Sequence, residues 1–177
     1  MGSQNLNVIP MNKSLPEQFA SIRNFVFDID GVMTNGQLLL HPDGELLRAM
    51  NIRDGYALQL AVKKGYSVHV ISGGRGEALL KRLNGLGIQQ VYLGVDDKLG
   101  CLLDCMKQLD DWRETTLYMG DDMPDITALS AVNLPCCPQD ACPEVQLISK
   151  YVSPFAGGQG CVRDVIEKVL KLHGHWG

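Results

Sequence analysis

The sequence has no apolar run approaching the roughly 18 residues that a membrane-crossing helix needs, so it predicts no membrane partner. It also lacks a basic excess. Lys and Arg number 16 against 20 Asp and Glu, a net charge of −4, which argues against a nucleic-acid partner or an anionic membrane surface. The first residues lack the charged-then-apolar pattern of an export signal. Met1-Gly2 opens like a myristoylation start, but Leu6 stands where Ser or Thr is required. The chain is therefore expected to be cytoplasmic. There is no repeat, low-complexity tract or linker to divide it.

Disulfide and zinc frameworks are excluded on spacing. Six cysteines in 177 residues are too few for a disulfide scaffold. Cys101 and Cys105 share one face of an expected helix, while Cys136, Cys137 and Cys142 crowd a Pro-containing stretch. None pairs at zinc-finger spacing, and His41, His69, His173 and His175 supply no matching partner. Reduced cysteines acting as small apolar fillers account for them.

What remains is a chain that is 45 % hydrophobic, enough for one globular domain with a sizeable core. Residues 1–20 read as a loose lead-in and 21–177 as the domain. Strand and helix patterns alternate along it. Ile22 to Asp28 is an apolar strand, Ser67 to Ile71 a second, Val91 to Leu93 a short third and Thr115 to Met119 a fourth; a further short strand is expected near Asn133 to Cys136. Helices are expected from Asp54 (as cap) to Lys64, Glu77 to Leu86, Asp97 to Leu109, after the segment Asp121–Asp125, and Val162 to Leu172. Gln37–Leu40 and Leu46–Ile52 flank His-Pro-Asp-Gly, a turn signal, and read as a hairpin inserted after the first strand. The order predicts an α/β, three-layer Rossmann-like parallel sheet carrying a small hairpin, 37–52.

In such a sheet ligands bind at the carboxyl ends of the strands. The polar residues there come from four separated segments: Asp28 and Asp30 after the first strand, Ser72 after the second, Lys98 opening the helix after the third, and Asp121, Asp122 and Asp125 after the fourth. Carboxylates gathered at one spot repel unless a cation sits among them, and a few hard oxygen ligands suit Mg²⁺ beside a phosphate. A carboxylate can attack phosphorus, and a second one two residues on can move the proton. A hydroxyl and an ammonium can hold the transferring oxygens.

These segments resemble the four motifs of the haloacid dehalogenase superfamily of phosphatases: Asp-Ile-Asp-Gly-Val-Met-Thr (28–34), Val-Ile-Ser-Gly-Gly (70–74), Lys98, and Gly-Asp-Asp-Met-Pro-Asp (120–125). The resemblance implies Asp28 as nucleophile and Asp30 as general acid/base. It implies Mg²⁺ held by Asp28, the backbone carbonyl of Asp30 and Asp121, with Asp122 and Asp125 as ligands or as braces for them. The hairpin with Asn51-Ile-Arg-Asp-Gly-Tyr-Ala-Leu58, and the late segment Ala156 to Val165, resemble the 3-deoxy-D-manno-octulosonate 8-phosphate phosphatase family over about Asn24 to Leu170. That implies a capless enzyme of lipopolysaccharide precursor synthesis, acting on a sugar acid phosphate as a homotetramer in which each hairpin closes a neighbour's site. Arg53, Asp54, Gly73, Arg75 and Gly158 become candidate substrate contacts. Two departures stand out. The family's second motif usually reads Ser/Thr-Gly-Arg, whereas Gly74 intervenes here and Arg75 follows one place later. Gln159 occupies the place of a basic residue in the late glycine loop. A nine-carbon 2-keto-3-deoxy sugar acid phosphate is the alternative substrate, disfavoured by Arg53-Asp54. A non-catalytic tetramerising module is the alternative class, disfavoured by the full set of Asp28, Asp30, Ser72, Lys98 and Asp121.

Overall fold

The computed structural model describes residues 13–177; most of the lead-in, 1–12, lies outside the described residues. Six strands form one parallel sheet in the order β5-β4-β1-β6-β7-β8. They are β1 (Asn24–Phe27), β4 (Ser67–Ser72), β5 (Gln90–Leu93), β6 (Thr116–Met119), β7 (Leu134–Cys137) and β8 (Tyr151–Val152). β1 is central, paired in register with β4 on one side (Phe27 with Val70) and β6 on the other (Phe27 with Met119). Being covered on both faces, β1 and β6 are buried at every position, which is why they read as continuous apolar runs rather than alternating ones.

The pleat sends alternate side chains to opposite layers. Phe25, Phe27, Val68, Val70, Leu117 and Met119 face a core shared with helices α2 (Ile52–Lys63), α3 (Glu77–Gly85) and α8 (Cys161–Leu172). Val26, Ile71 and Tyr118 face a smaller core with α4 (Lys98–Met106), α6 (Ile126–Leu129) and α7 (Pro143–Ile148). This is the expected three-layer arrangement. The cysteines are free, with Cys136, Cys137 and Cys161 buried as fillers. No helix among the described residues is long and apolar enough to cross a membrane.

Several local expectations need correction. The end of the lead-in is helical: α1 (Leu15–Ser21) starts where Ser14 donates through N (2.8 Å) and Oγ (2.7 Å) to Glu17 Oε2, with Pro16 in its first turn and Phe19 buried. The hairpin pairs over only two residues a side, β2 (Leu39–Leu40) with β3 (Leu46–Leu47), and Ile52 already belongs to α2. That helix is capped by Asn51, whose side chain accepts from Arg53 N at 2.8 Å, not by Asp54. A short helix α5 (Trp112–Thr115), α7 and the edge strand β8 are additions the pattern did not announce.

Candidate active site

The chain reverses direction across the sheet on either side of β1, so the carboxyl ends of β1, β4 and β6 open into one crevice. A cleft of about 500 Å³ occupies it, lined by Asp28, Asp30, Ser72, Lys98, Asp121 and Asp125 among others. Four chain-separated segments do converge.

Asp28 follows β1 directly, its N–H donating to Met119 O (3.1 Å). The chain then makes one wide turn, Ile29–Met33, closed by Thr34 N on Ile29 O (3.0 Å). Gly31 in that turn has φ +94°, and a Cβ there would sit 2.0 Å from Asp121 Oδ2. Only glycine meets both demands, the left-handed backbone and the approach of Asp121. The late glycine loop is clamped onto the same turn: Gly158 N donates to Val32 O (2.9 Å) and Asn51 Nδ2 to Gly158 O (3.2 Å). Gly158 therefore braces the turn that carries Asp28 and Asp30.

Lys98 opens α4 but is buried, its ammonium 2.7 Å from Asp125 Oδ1 and 3.1 Å from Asp28 Oδ1. Burial opposes its charge, but Asp28 and Asp125 outweigh that and raise its pKa. Asp125 is fully buried and makes several hydrogen bonds. Its Oδ1 also accepts from Tyr118 O–H (2.9 Å) and its Oδ2 from Asp121 N (3.3 Å). It holds Lys98 and the Asp121 backbone in place. Asp122 turns onto its own short helical turn, accepting from Met123 N (2.8 Å).

The acidic groups are the electrostatic problem of the site. Oxygens of Asp28, Asp121 and Asp125 lie within 4.8 Å of one another. Burial, then the Asp125 charge, push Asp28 up to about 6; Lys98 opposes this. Burial, Asp28 and Asp125 push Asp121 up to about 8. Asp121 Oδ1 is buried without a hydrogen-bond partner, and Asp28 Oδ1 faces Lys98 without the alignment of a hydrogen bond. Unpartnered buried carboxylate oxygens are costly. A hard divalent cation between Asp28 and Asp121 satisfies both and removes the repulsion, so the donor set fits one.

Ser72 ends β4, buried, with its Oγ accepting Gly74 N (3.2 Å), which leaves its proton for a ligand. Gly73 also lines the cleft. The other candidate substrate contacts lie elsewhere. Arg75 packs its guanidinium over Gly94, outside the cleft lining. Arg53 lines a second hollow of about 660 Å³ with Phe155, Gln159 and Arg163. Asp54 is buried behind it and accepts from Arg163 N (2.8 Å), tying α2 to α8. Sequence reasoning missed two residues at the site. Arg48, at the foot of the hairpin, donates through Nε and Nη2 to both oxygens of Asp30 (2.6 and 2.9 Å). The buried Tyr118 on Asp125 was missed as well, although a Tyr inside an apolar strand signals a polar partner.

A parallel sheet whose central strand delivers Asp28 and Asp30, with Ser72, Lys98 and Asp121 from neighbouring strand ends, defines a phosphatase of the haloacid dehalogenase superfamily. A Legionella pneumophila chain described as a hydrolase of that superfamily, subfamily III A, superposes with a TM-score of 0.87 at 28 % identity, covering 90 % of this chain and 88 % of that one. No protein-family profile matches the chain. A 3-deoxy-D-manno-octulosonate 8-phosphate phosphatase of Yersinia pestis is 34 % identical over 172 residues, covering 95 % of this chain and 92 % of the relative. The crystal structure of that phosphatase from Yersinia pestis superposes with a TM-score of 0.87, covering 91 % of this chain and 87 % of that one. The Moraxella catarrhalis enzyme, solved with magnesium, phosphate and 3-deoxy-D-manno-octulosonate, does so at 0.85 with 30 % identity, covering 89 % of this chain and 90 % of that one. The chain belongs to the 3-deoxy-D-manno-octulosonate 8-phosphate phosphatase family.

Proposed function

We propose that the protein is a Mg²⁺-dependent phosphomonoesterase that hydrolyses 3-deoxy-D-manno-octulosonate 8-phosphate in the cytoplasm, supplying the free sugar acid for lipopolysaccharide precursor synthesis. The observation that carries this reading is the unpartnered buried carboxylate oxygen of Asp121, gathered with Asp28 and Lys98 at the end of β1. Family membership and the magnesium, phosphate and sugar acid found in the Moraxella catarrhalis relative support the choice of metal and substrate.

Asp28, Asp121 and the backbone carbonyl of Asp30 would hold Mg²⁺, which supplies positive charge to the phosphoryl oxygens. The protein's own groups do the rest. A carboxylate oxygen of Asp28 attacks phosphorus, and the bond to the sugar oxygen breaks as Asp30 gives that oxygen a proton. Water then attacks the aspartyl-phosphate, passing its proton to Asp30, and phosphate leaves with Asp28 restored. Lys98 and Ser72 balance the charge on the transferring oxygens throughout. Asp125 keeps Lys98 in place between the two.

The hairpin carries the assembly part of the proposal. Leu39 and Leu40 are 67 % and 73 % exposed, and Leu38, Leu46 and Leu47 are exposed beside them. A contiguous apolar patch of this kind marks an interface, and a closed homotetramer with hairpins meeting neighbouring sites would cover it. The test of the activity is phosphate release from the eight-carbon substrate with Mg²⁺ and with chelator. Metal-dependent turnover is the expected result. Turnover that chelator does not abolish, or none with this substrate while other sugar phosphates are cleaved, would overturn it.

A further inference from the structure

The cleft is strongly acidic for a site that takes a doubly anionic substrate. Asp28, Asp30, Asp96, Asp121, Asp122 and Asp125 line it, and Lys98 is the lining residue of opposite charge. Lys98 is committed to Asp28 and Asp125. A bound cation answers for the phosphoryl group but leaves a substrate carboxylate without a partner.

Arg48 is the cation that reaches this wall. Its fork grips both oxygens of Asp30, and Nη1 donates to Leu46 O (3.0 Å), so all three guanidinium nitrogens are engaged and the side chain is 4 % exposed. The second motif makes room for it. A Cβ on Gly74 would lie 2.8 Å from Asp30 Oδ2 and 3.1 Å from Arg48 Nη2. The intervening glycine thus lets a guanidinium from the hairpin stand beside Ser72, while Arg75 is turned over Gly94. On its other side Arg48 lines a hollow of about 370 Å³ under Leu38, Leu39 and Leu47, continuous with the foot of the hairpin. The pair also has a mechanistic cost, because Arg48 on both oxygens of Asp30 competes with a leaving group for them.

We propose that Arg48 is a specificity-determining residue that recognises the substrate's carboxylate, exchanging Asp30 for it when the substrate binds and so releasing Asp30 to the reaction. This rests on the sugar acid phosphate reading above. A planar fork suits one carboxylate as well as another, so the exchange keeps two charge-assisted hydrogen bonds on Arg48. An ester without a carboxylate leaves Arg48 on Asp30 and is turned over slowly, which makes the hairpin a selector as well as a cover.

The test compares wild type, Arg48→Gln and Arg48→Lys with Mg²⁺ present. Substrates are 3-deoxy-D-manno-octulosonate 8-phosphate and ribose 5-phosphate, which is a sugar phosphate without a carboxylate. Calorimetric binding of free 3-deoxy-D-manno-octulosonate gives a readout apart from turnover. Arg48→Gln should lower kcat/KM for the acid phosphate about ten- to a hundredfold, mostly through KM, and weaken the free acid by a similar factor. Its kcat on ribose 5-phosphate should rise, because Asp30 is no longer held. Arg48→Lys should recover part of the acid binding as a point charge without the fork. Equal losses on both substrates, or unchanged binding of the free acid, would overturn the assignment of Arg48. A wild type with no preference for the acid phosphate would remove the substrate reading itself, and the proposal with it.

Discussion

Lys98 offers the sharpest test of how the site is held together. Lys98→Met keeps the length and apolar stem of the side chain and removes only the ammonium. The lysine is 6 % exposed and Asp125 fully buried, so their 2.7 Å contact is a buried ion pair rather than a surface one. Breaking such a pair from one side typically costs about 3–5 kcal/mol, because the remaining charge stays buried. Tyr118 and Asp121 N still bond Asp125, which favours the lower end. The loss also falls on Asp28, whose ionisation burial and Asp125 already oppose and Lys98 assists. For a domain of this size the cost corresponds to a fall of ~6–20 °C in melting temperature. Thermal melts followed by circular dichroism at pH 7 with chelator would read it. Lys98→Met combined with Asp125→Asn removes both charges and should recover part of the loss, a coupling of roughly 1–3 kcal/mol in a double-mutant cycle. A single-variant fall of less than about 3 °C, or strict additivity in the cycle, would refute the buried bridge as the element that fixes the site.

Asp28→Asn should cut turnover by more than about a hundredfold, yet melt no lower than wild type in chelator, since it removes a carboxylate whose ionisation burial already disfavours; steady-state rates and melts on the same sample check both. Asp54 is buried and pushed up to about 6 from 3.8 by burial, against the hydrogen bonds from Arg163 and Gly160. The folded state therefore holds that proton more tightly than the unfolded chain, and stability falls by about 3 kcal/mol at most as pH rises from about 4 to 6, remaining lower above. Asp54→Asn should abolish that part of the loss, and melting curves of wild type and variant that stay parallel over this window would exclude Asp54 as its source. Replacing Leu38 and Leu40 with Lys should yield smaller species of intact secondary structure in light scattering, with poor activity on the sugar acid phosphate; a fully active wild-type monomer would leave the hairpin as a cover within one subunit.

The parts of the fold legible in the sequence were those where one residue pattern had one physical solution. β1, β4 and β6 are buried on both faces, so their apolar runs and the polar residue that ends each were unmistakable. Elements of two to six residues carry too little periodicity to declare themselves, and α5, α7 and β8 fall in that class. Helix α1 is different. Its Ser14-Leu-Pro-Glu17 start is a capping signal that was present and outweighed by the polar residues around it. Asn51 and Asp54 are both good caps three residues apart, and burial of Asp54 against α8, which no local pattern contains, decided between them.

The site divides along the same physical line. Asp28, Ser72 and Asp121 could be placed at the cleft because a strand end fixes where a side chain goes. Asp125 could be placed near the site but not given its role, because that role depends on Tyr118 and Lys98 meeting it in space. Arg53, Arg75 and Arg48 were alike in the sequence: three arginines near motif residues, each able to reach several ångströms in any direction. Arg48 alone of the three holds a carboxylate of the cleft, and what aims it is the combination of a two-residue ladder, a turn at His41–Gly44 and the missing side chain at Gly74. None of these acts alone. A side chain at Gly74 would displace the guanidinium or Asp30, and a longer ladder would carry Arg48 further into regular pairing. The departure from the family's second motif and the arginine on the hairpin are therefore one structural feature, and a chain that restored Arg at position 74 would be expected to lose the Arg48 contact in the same step.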